Sequence, residues 1–180
     1  MAEASTQDRL VEAAAAEFRE RGFDGTDSNK IARRAGFAPQ TFYRWFKDKT
    51  EVFVAVYRHW EEEERRFVGD LIRRQAGDTA VIEAAVRHHR DYLHFRRSLR
   101  ALSLQDPVVR KARAESRLRQ IERLARTAPN ALTRDDIAVR LLELERLSDA
   151  LAEGELADMG LDEAAARRRL LQILGELRAG

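Results

Sequence analysis

Gln40, Arg44 and Lys47 are polar or cationic side chains spaced four and three apart, and Phe42 and Phe46 are two large apolar ones spaced four apart. On a helix, 100° per residue stacks the phenylalanines on one face and sets the polar trio on the other. Thr41 and Tyr43 then fall on the flanks, where a hydroxyl can reach outward while the rest of the side chain packs. The chemistry such a surface offers is recognition: amide and guanidinium groups pair with base edges, while ammonium and hydroxyl groups hold phosphates. Between Lys30 and Lys49 six basic residues face one acidic residue, Asp48, so this segment carries a charge of about +5 in a chain whose net charge is +2. Charge concentrated in this way on one short element is the footprint of a phosphate-binding surface. Gln40, Arg44 and Lys47 are the candidates on the outward face, with the Thr41 and Tyr43 hydroxyls beside them.

The flanking residues predict the elements that position these groups. Thr26 or Asp27 can cap a first short helix whose buried side is Ile31, Ala32 and Ala35. Gly36 ends it without steric cost, and Pro39 suits the first turn of a second helix, predicted over Pro39 to Lys47. The pair reads as a helix-turn-helix. A preceding helix from Thr6 to Arg21, with Leu10, Val11, Ala14 and Phe18 inward and Gly22 as its stop, covers the inner faces of both. A fourth, from Lys49 to about Gln75 with Thr50 as its cap, leads into the rest of the chain.

The run from Phe18 to Val56, F-x3-GF-x2-T-x4-IA-x2-AGF-x3-TFY-x2-F-x2-K-x3-F-x2-V, resembles the DNA-binding domain of TetR-type transcriptional regulators over about the first third of the chain. Three positions depart from that pattern: Ala38 replaces a helix-capping residue, Ser28 an apolar one, and Asn29 a common arginine. They bear on the DNA sequence recognised more than on the fold. Carried over by position, the family's DNA contacts fall on Gln40, Thr41, Tyr43, Trp45 and Lys49; Arg44 rests on helical geometry alone. The expected base contacts are then Gln40, Thr41 and Arg44, and the expected phosphate contacts Thr26, Tyr43, Trp45, Lys47 and Lys49. The resemblance further implies a DNA-binding domain over residues 1–49 and a regulatory and dimerisation domain over 50–180. It implies a homodimer on a pseudo-palindromic operator in double-stranded DNA, most often as a repressor released by a small-molecule effector, whose identity does not follow. The alternative is a DNA-binding interaction protein whose helical body grips a partner protein.

Composition agrees with an all-α fold of about nine helices. Apolar residues make up 44% of 180, prolines number three, and Ala, Leu, Arg and Glu abound,. The polar N-terminus lacks the apolar core of a secretion signal, and no apolar run reaches the ~18 residues of a membrane span. A cytoplasmic protein without membrane contact is expected. No cysteine is present, which removes disulfides and thiolate chemistry. No nucleophile, carboxylate pair or phosphate loop stands at a catalytic spacing, so no enzyme and no cofactor are expected.

Beyond residue 77 the pattern predicts a helix from Asp78 to about Arg97, then a short helix or linker over Ser98 to Gln105. A basic helix follows from Pro107 to about Ala128, a turn at Pro129-Asn130, a helix from Thr133 to about Asp158, and a last one capped by Asp162. His88, His89 and His94 lack the H-E-x-x-H spacing of a metal site, so no metal is assigned; His89, with Tyr92 and Arg96, is the candidate lining of a ligand pocket. The last two long helices carry apolar residues on more than one side. Leu141, Leu144, Leu151, Leu170, Leu174 and Leu177 are the expected dimerisation residues, as in the four-helix interface of TetR-like proteins.

Overall fold

The chain is described by a computed structural model over residues 4–127 and 132–178. Ten helices and no strand lie among the described residues: α1 Thr6–Arg21, α2 Ser28–Arg34, α3 Pro39–Tyr43, α4 Lys49–Arg73, α5 Asp78–Asp91, α6 Leu93–Gln105, α7 Pro107–Leu124, α8 Arg134–Glu153, α9 Glu155–Asp158 and α10 Ala164–Arg178. None is long and apolar enough to cross a membrane. The helix expected from Pro107 to about Ala128 ends at Leu124; Ala128 itself and the turn at Pro129-Asn130 lie outside the described residues.

Local chemistry explains most boundaries. Ser5 and Asp8 form a reciprocal capping box at the start of α1, and Thr133 and Asp136 form another at α8,. Four further boundaries differ from the sequence expectation. The fourth helix stops at Arg73, because Gln75 itself takes the left-handed conformation (φ 55°) while the Ala76 N–H reaches back to the Leu71 carbonyl at 3.0 Å,. The helix expected to run unbroken from Asp78 to Arg97 divides at Tyr92, so Ser98 to Gln105 continues α6 and forms no separate piece. No glycine or proline marks that break; the Tyr92 ring meets Trp60 edge-on at 6.4 Å and its hydroxyl donates to Glu63, so packing sets it. Gly154, at φ 79° and ψ 18°, divides the helix expected from Thr133 to Asp158,. Finally, α3 ends at Tyr43, four residues short of Lys47.

The chain forms two compact units. The first comprises the residues up to Glu63 together with Tyr92–Ala112. Its core joins Leu10, Phe18, Ile31, Phe42, Val52, Phe53, Phe95 and Leu99. Phe53 is central there, with ring centroids 5.0 Å from both Phe18 and Phe95; burying each such side chain contributes about 1.5–3 kcal/mol. The second unit comprises Glu64–Asp91 and the residues from Arg113 on, where α5, α8 and α10 pack against one another.

That packing corrects part of the dimer expectation. Leu151 and Leu170 are buried with Ile82, Val86 and Ala166, and Leu177 with Ile121, Ile137 and Ile173. These three leucines are consumed by the protomer's own core and cannot also face a partner. Leu141, Leu144 and Leu174 are half-buried at the edge of the same clusters.

Candidate nucleic-acid interface

In the first unit, α2 and α3 pack on each other and α1 packs on α2. The Asp27 carboxylate caps α2 by accepting the Lys30 N–H at 2.9 Å. Gly36, at φ 78°, ends it, with the Phe37 N–H on the Ala32 carbonyl at 2.9 Å,. Ala38 offers no side-chain cap to α3, and Pro39 occupies the first turn, where no N–H is needed,. Past Tyr43 the backbone makes one further turn, with the Trp45 and Phe46 N–H groups both on the Phe42 carbonyl.

This short helix and turn carry the expected two-sided pattern. Phe42 is 0% and Phe46 3% exposed, whereas Tyr43 is 58% and Trp45 45% exposed. Gln40, Arg44 and Lys47 are exposed and Thr41 is half-buried. An exposed tyrosine and tryptophan beside two cations, over a floor of buried phenylalanine, suit contact with a polyanion of stacked rings.

Charge is distributed less simply than the count of six cations suggests. Arg34 donates to Glu17 at 3.0 Å and to Glu20 at 2.8 Å, and these carboxylates hold its guanidinium above the ordinary arginine value. The Lys30 ammonium lies 3.3 Å from the Gly25 carbonyl and 3.9 Å from Asp27. Lys49 corrects the expectation that its ammonium faces a phosphate. Its Nζ donates to the carbonyls of Phe23 at 2.7 Å and Thr26 at 3.0 Å, and burial pushes it below the ordinary lysine value. Arg33, Arg44 and Lys47 remain exposed on the segment.

Thr26 is a second correction. It is buried, and its hydroxyl donates to Glu17 Oε2 at 2.8 Å, so the group expected at a phosphate is used inside. Thr50 does not cap α4: Asp48 accepts the Glu51 N–H at 2.9 Å, Glu51 accepts the Lys47 N–H at 2.6 Å, and the Thr50 hydroxyl donates to Asp106.

Several positioning residues escaped the sequence reading. Glu17 ties α1 to both Thr26 and Arg34; an acidic residue on a helix of balanced charge gave no signal. Arg9 donates to the Ala35 carbonyl at 2.8 Å, with its guanidinium 4.5 Å from the centre of the Phe37 ring, and so clamps the turn,. Ser28 stood out in sequence only as a polar residue at an apolar position. Its Oγ lies 2.7 Å from Tyr43 Oη.

The three candidate ligand residues divide between the units. In the second, His89 is buried with Nδ1 2.9 Å from Asp149 and Nε2 3.2 Å from Glu64. A ring protonated on both nitrogens can donate to both carboxylates, and a neutral ring to only one. In the first, Arg96 is buried with its guanidinium 4.8 Å from the centre of the Trp60 ring. Tyr92 is half-buried, and burial together with Glu63 pushes its phenol up.

Residues 10–60 match the family model of bacterial regulatory proteins, tetR family. An uncharacterized HTH-type transcriptional regulator of Bacillus subtilis (strain 168), YdgC, is 30% identical over 78 residues, which span 43% of this chain and 40% of that relative. Among solved structures, a TetR-family transcriptional regulator from Rhodococcus sp. superposes with a TM-score of 0.72 at 18% identity, over 96% of this chain and 97% of that one. A transcriptional regulator from Saccharomonospora viridis in complex with choline gives 0.66 at 16% identity, over 93% and 94%. The multidrug binding protein EbrR complexed with imidazole gives 0.63 at 19%, over 95% and 96%. These likenesses extend the shared all-α fold over nearly the whole chain. The helix-turn-helix with its buried Phe42 and Phe46 lies inside the matched segment, so the likeness to the tetR family of bacterial regulatory proteins rests on residues 10–60, and beyond them the chain shares the fold.

Proposed function

We propose that the protein is a DNA-binding transcriptional regulator, a repressor acting as a homodimer on a pseudo-palindromic operator. Residues 1–49 form its reading head, and residues 50–180 its regulatory and dimerisation domain. The observation that carries this reading is the two-sided α3 segment, with Gln40, Tyr43, Arg44, Trp45 and Lys47 outward over Phe42 and Phe46. Gln40, Thr41 and Arg44 read base edges, and Tyr43, Trp45 and Lys47 hold phosphates; two copies enter successive major grooves about one helical turn apart. Lys49 retains one N–H beyond its two internal bonds, and its main part is to position the head.

A small effector releases the operator by binding unequally to two arrangements of the dimer. The choline and imidazole complexes of two proteins of this fold support a small-molecule partner for the helical body. No catalysis and no cofactor belong to this role, and a DNA partner places the protein in the cytoplasm.

The test is fluorescence anisotropy with duplexes tiled across the DNA flanking the gene. One duplex is expected to bind far more tightly than the rest, with log K falling steeply against log salt. Equal, weak affinity for every duplex would overturn sequence-specific regulation. Retention of the operator against a broad panel of small molecules, with release by a protein fraction, would replace the effector by a protein partner.

A further inference from the structure

Ser28 begins α2 and Tyr43 ends α3, and their hydroxyl oxygens lie 2.7 Å apart across the turn. Neither helix needs this bond to form or to dock. The cap of α2 comes from Asp27, and α3 is held by Phe42 and by Phe46 behind it. Tyr43 is exposed and Ser28 half-buried, so water competes for the pair. A surface hydroxyl–hydroxyl bond therefore adds little to folding. What it does fix is the direction in which the Tyr43 phenol points.

Counting protons gives the consequence. Two hydroxyls carry two protons, and one is used between them. If the phenol donates to Ser28, the Ser28 proton is left to point outward; if Ser28 donates, the phenol proton is left. In both cases one directed donor remains, polarised by the bond behind it. A single strong donor on a surface bearing Arg44 and Lys47 is suited to an anionic oxygen. The nearest opposing charge in sequence is Asp27, whose carboxylate already accepts the Lys30 N–H and lies 3.9 Å from the Lys30 ammonium. That engagement limits its repulsion of an approaching anion.

We propose that Ser28 is a positioning residue for DNA binding: it holds the Tyr43 hydroxyl so that the pair donates one hydrogen bond to a single backbone phosphate. The proposal rests on the DNA-binding reading above and adds to it a residue outside the α3 segment.

The test uses the full-length protein and four variants, Ser28→Ala, Tyr43→Phe, the double variant and Ser28→Thr. Binding is measured by anisotropy to a 30-bp duplex of arbitrary sequence at low salt and to the duplex selected from the flanking DNA, with thermal melting as a check on folding. Ser28→Ala and Tyr43→Phe are each expected to bind about 3–10-fold more weakly, the fold-change of one net hydrogen bond. The double variant should be no weaker than the weaker single one, because the two hydroxyls act as one donor. Ser28→Thr should keep wild-type affinity. The loss should be alike on both duplexes, since a phosphate carries no sequence information. The salt slope should be unchanged, since no cation is removed. Unaltered affinity in Ser28→Ala, additive losses in the double variant, or a loss confined to the selected duplex would each overturn the positioning role while leaving DNA binding intact. A wild-type protein that bound neither duplex would overturn both.

Discussion

The ammonium of Lys49 donates to the Phe23 carbonyl at 2.7 Å and lies 3.9 Å from the centre of the same residue's ring. A second bond, to the Thr26 carbonyl at 3.0 Å, makes the first residue of α4 a clasp on the loop that leads into α2. The clasp works in series with a second one: the Phe23 N–H donates to the Ser98 hydroxyl of α6 at 2.9 Å, and that hydroxyl donates to the His94 carbonyl. The loop is thus held by its carbonyl from α4 and by its N–H from α6, so both helices position the helix-turn-helix.

Lys49→Ala is accordingly expected to lower stability by about 1.5–3 kcal/mol, the range for hydrogen bonds to a charged group, measured as the denaturant midpoint at constant slope. Its salt slope on DNA should change by clearly less than the ~1 unit expected for loss of a full phosphate contact. Lys47→Ala is the contrasting variant, with stability near wild type and the slope lowered by about one unit. If the two variants exchanged these signatures, Lys49 would be the phosphate ligand and Lys47 the structural residue.

Glu17 supplies an acid-side prediction. Burial alone would push its carboxyl up, but hydrogen bonds from Thr26 and Arg34 and the charges of Arg21 and Arg34 outweigh it, leaving the group below the ordinary glutamate value. A carboxyl lowered in the folded state adds stability above the unfolded value, about 4.3, and loses it as the pH falls through the folded one. The stability advantage of the wild type over Glu17→Gln should therefore be full at pH 6–7 and shrink steadily below about pH 4.5. Urea midpoints collected from pH 7 to pH 3 measure it, and a difference that stays constant across that range would remove the ionised carboxylate from the account.

Arg44 tests base reading. Its side chain is exposed just past the end of α3, where the backbone keeps right-handed helical dihedrals (φ −77°, ψ −22°). Arg44→Ala should cost about 1–3 kcal/mol on the operator and relax preference at one base pair. An equal loss on every duplex would make Arg44 another phosphate contact.

How far the sequence could be read depended on whether the deciding interactions were local. Caps and turns made by neighbours, such as Asp27 with Lys30 or Gly36 at positive φ, are visible as residue types at fixed offsets. The alternation of Phe42 and Phe46 with Gln40 and Lys47 is visible for the same reason. Long-range pairings leave no such trace. Thr26 looked like a surface hydroxyl because its acceptor, Glu17, lies nine residues away, and Lys49 looked like a phosphate ligand because its carbonyl acceptors lie more than twenty residues back. The break at Tyr92 has no local breaker and follows from contacts with Trp60 and Glu63. Broad apolar stripes carry a related ambiguity: the pattern shows that a face is covered, but not whether the cover is the same chain.

In the second unit, the His89 bridge between Asp149 and Glu64 links α5 to α8 and α4. Replacing it with an apolar residue leaves the buried Asp149 carboxylate and the half-buried one of Glu64 without their imidazole, one of the few single changes expected to cost well over the usual 1 kcal/mol. His89→Leu should lower stability by at least about 2 kcal/mol, read from the urea midpoint. A variant as stable as wild type would show that the bridge contributes nothing net.

The last prediction concerns the surface left for a second protomer. Leu151, Leu170 and Leu177 are committed to the core, but Val139 and Leu142, three apart on α8 and so on one face, are 61% and 47% exposed,. With the half-buried Leu141 and Leu144 of α8 and Leu174 of α10, they are apolar side chains of these two helices able to meet a partner. An interface centred there separates two effects that a substitution in the core would merge. Leu142→Glu should leave the melting temperature of the protomer little changed at low concentration while converting dimers to monomers in sedimentation velocity, and it should weaken operator binding because two linked heads become one. Leu170→Glu, by contrast, should unfold the protein, since it buries a charge among Ile82, Val86 and Leu151,. A folded Leu142→Glu variant that remained dimeric at micromolar concentration would move the subunit contact off this face of α8.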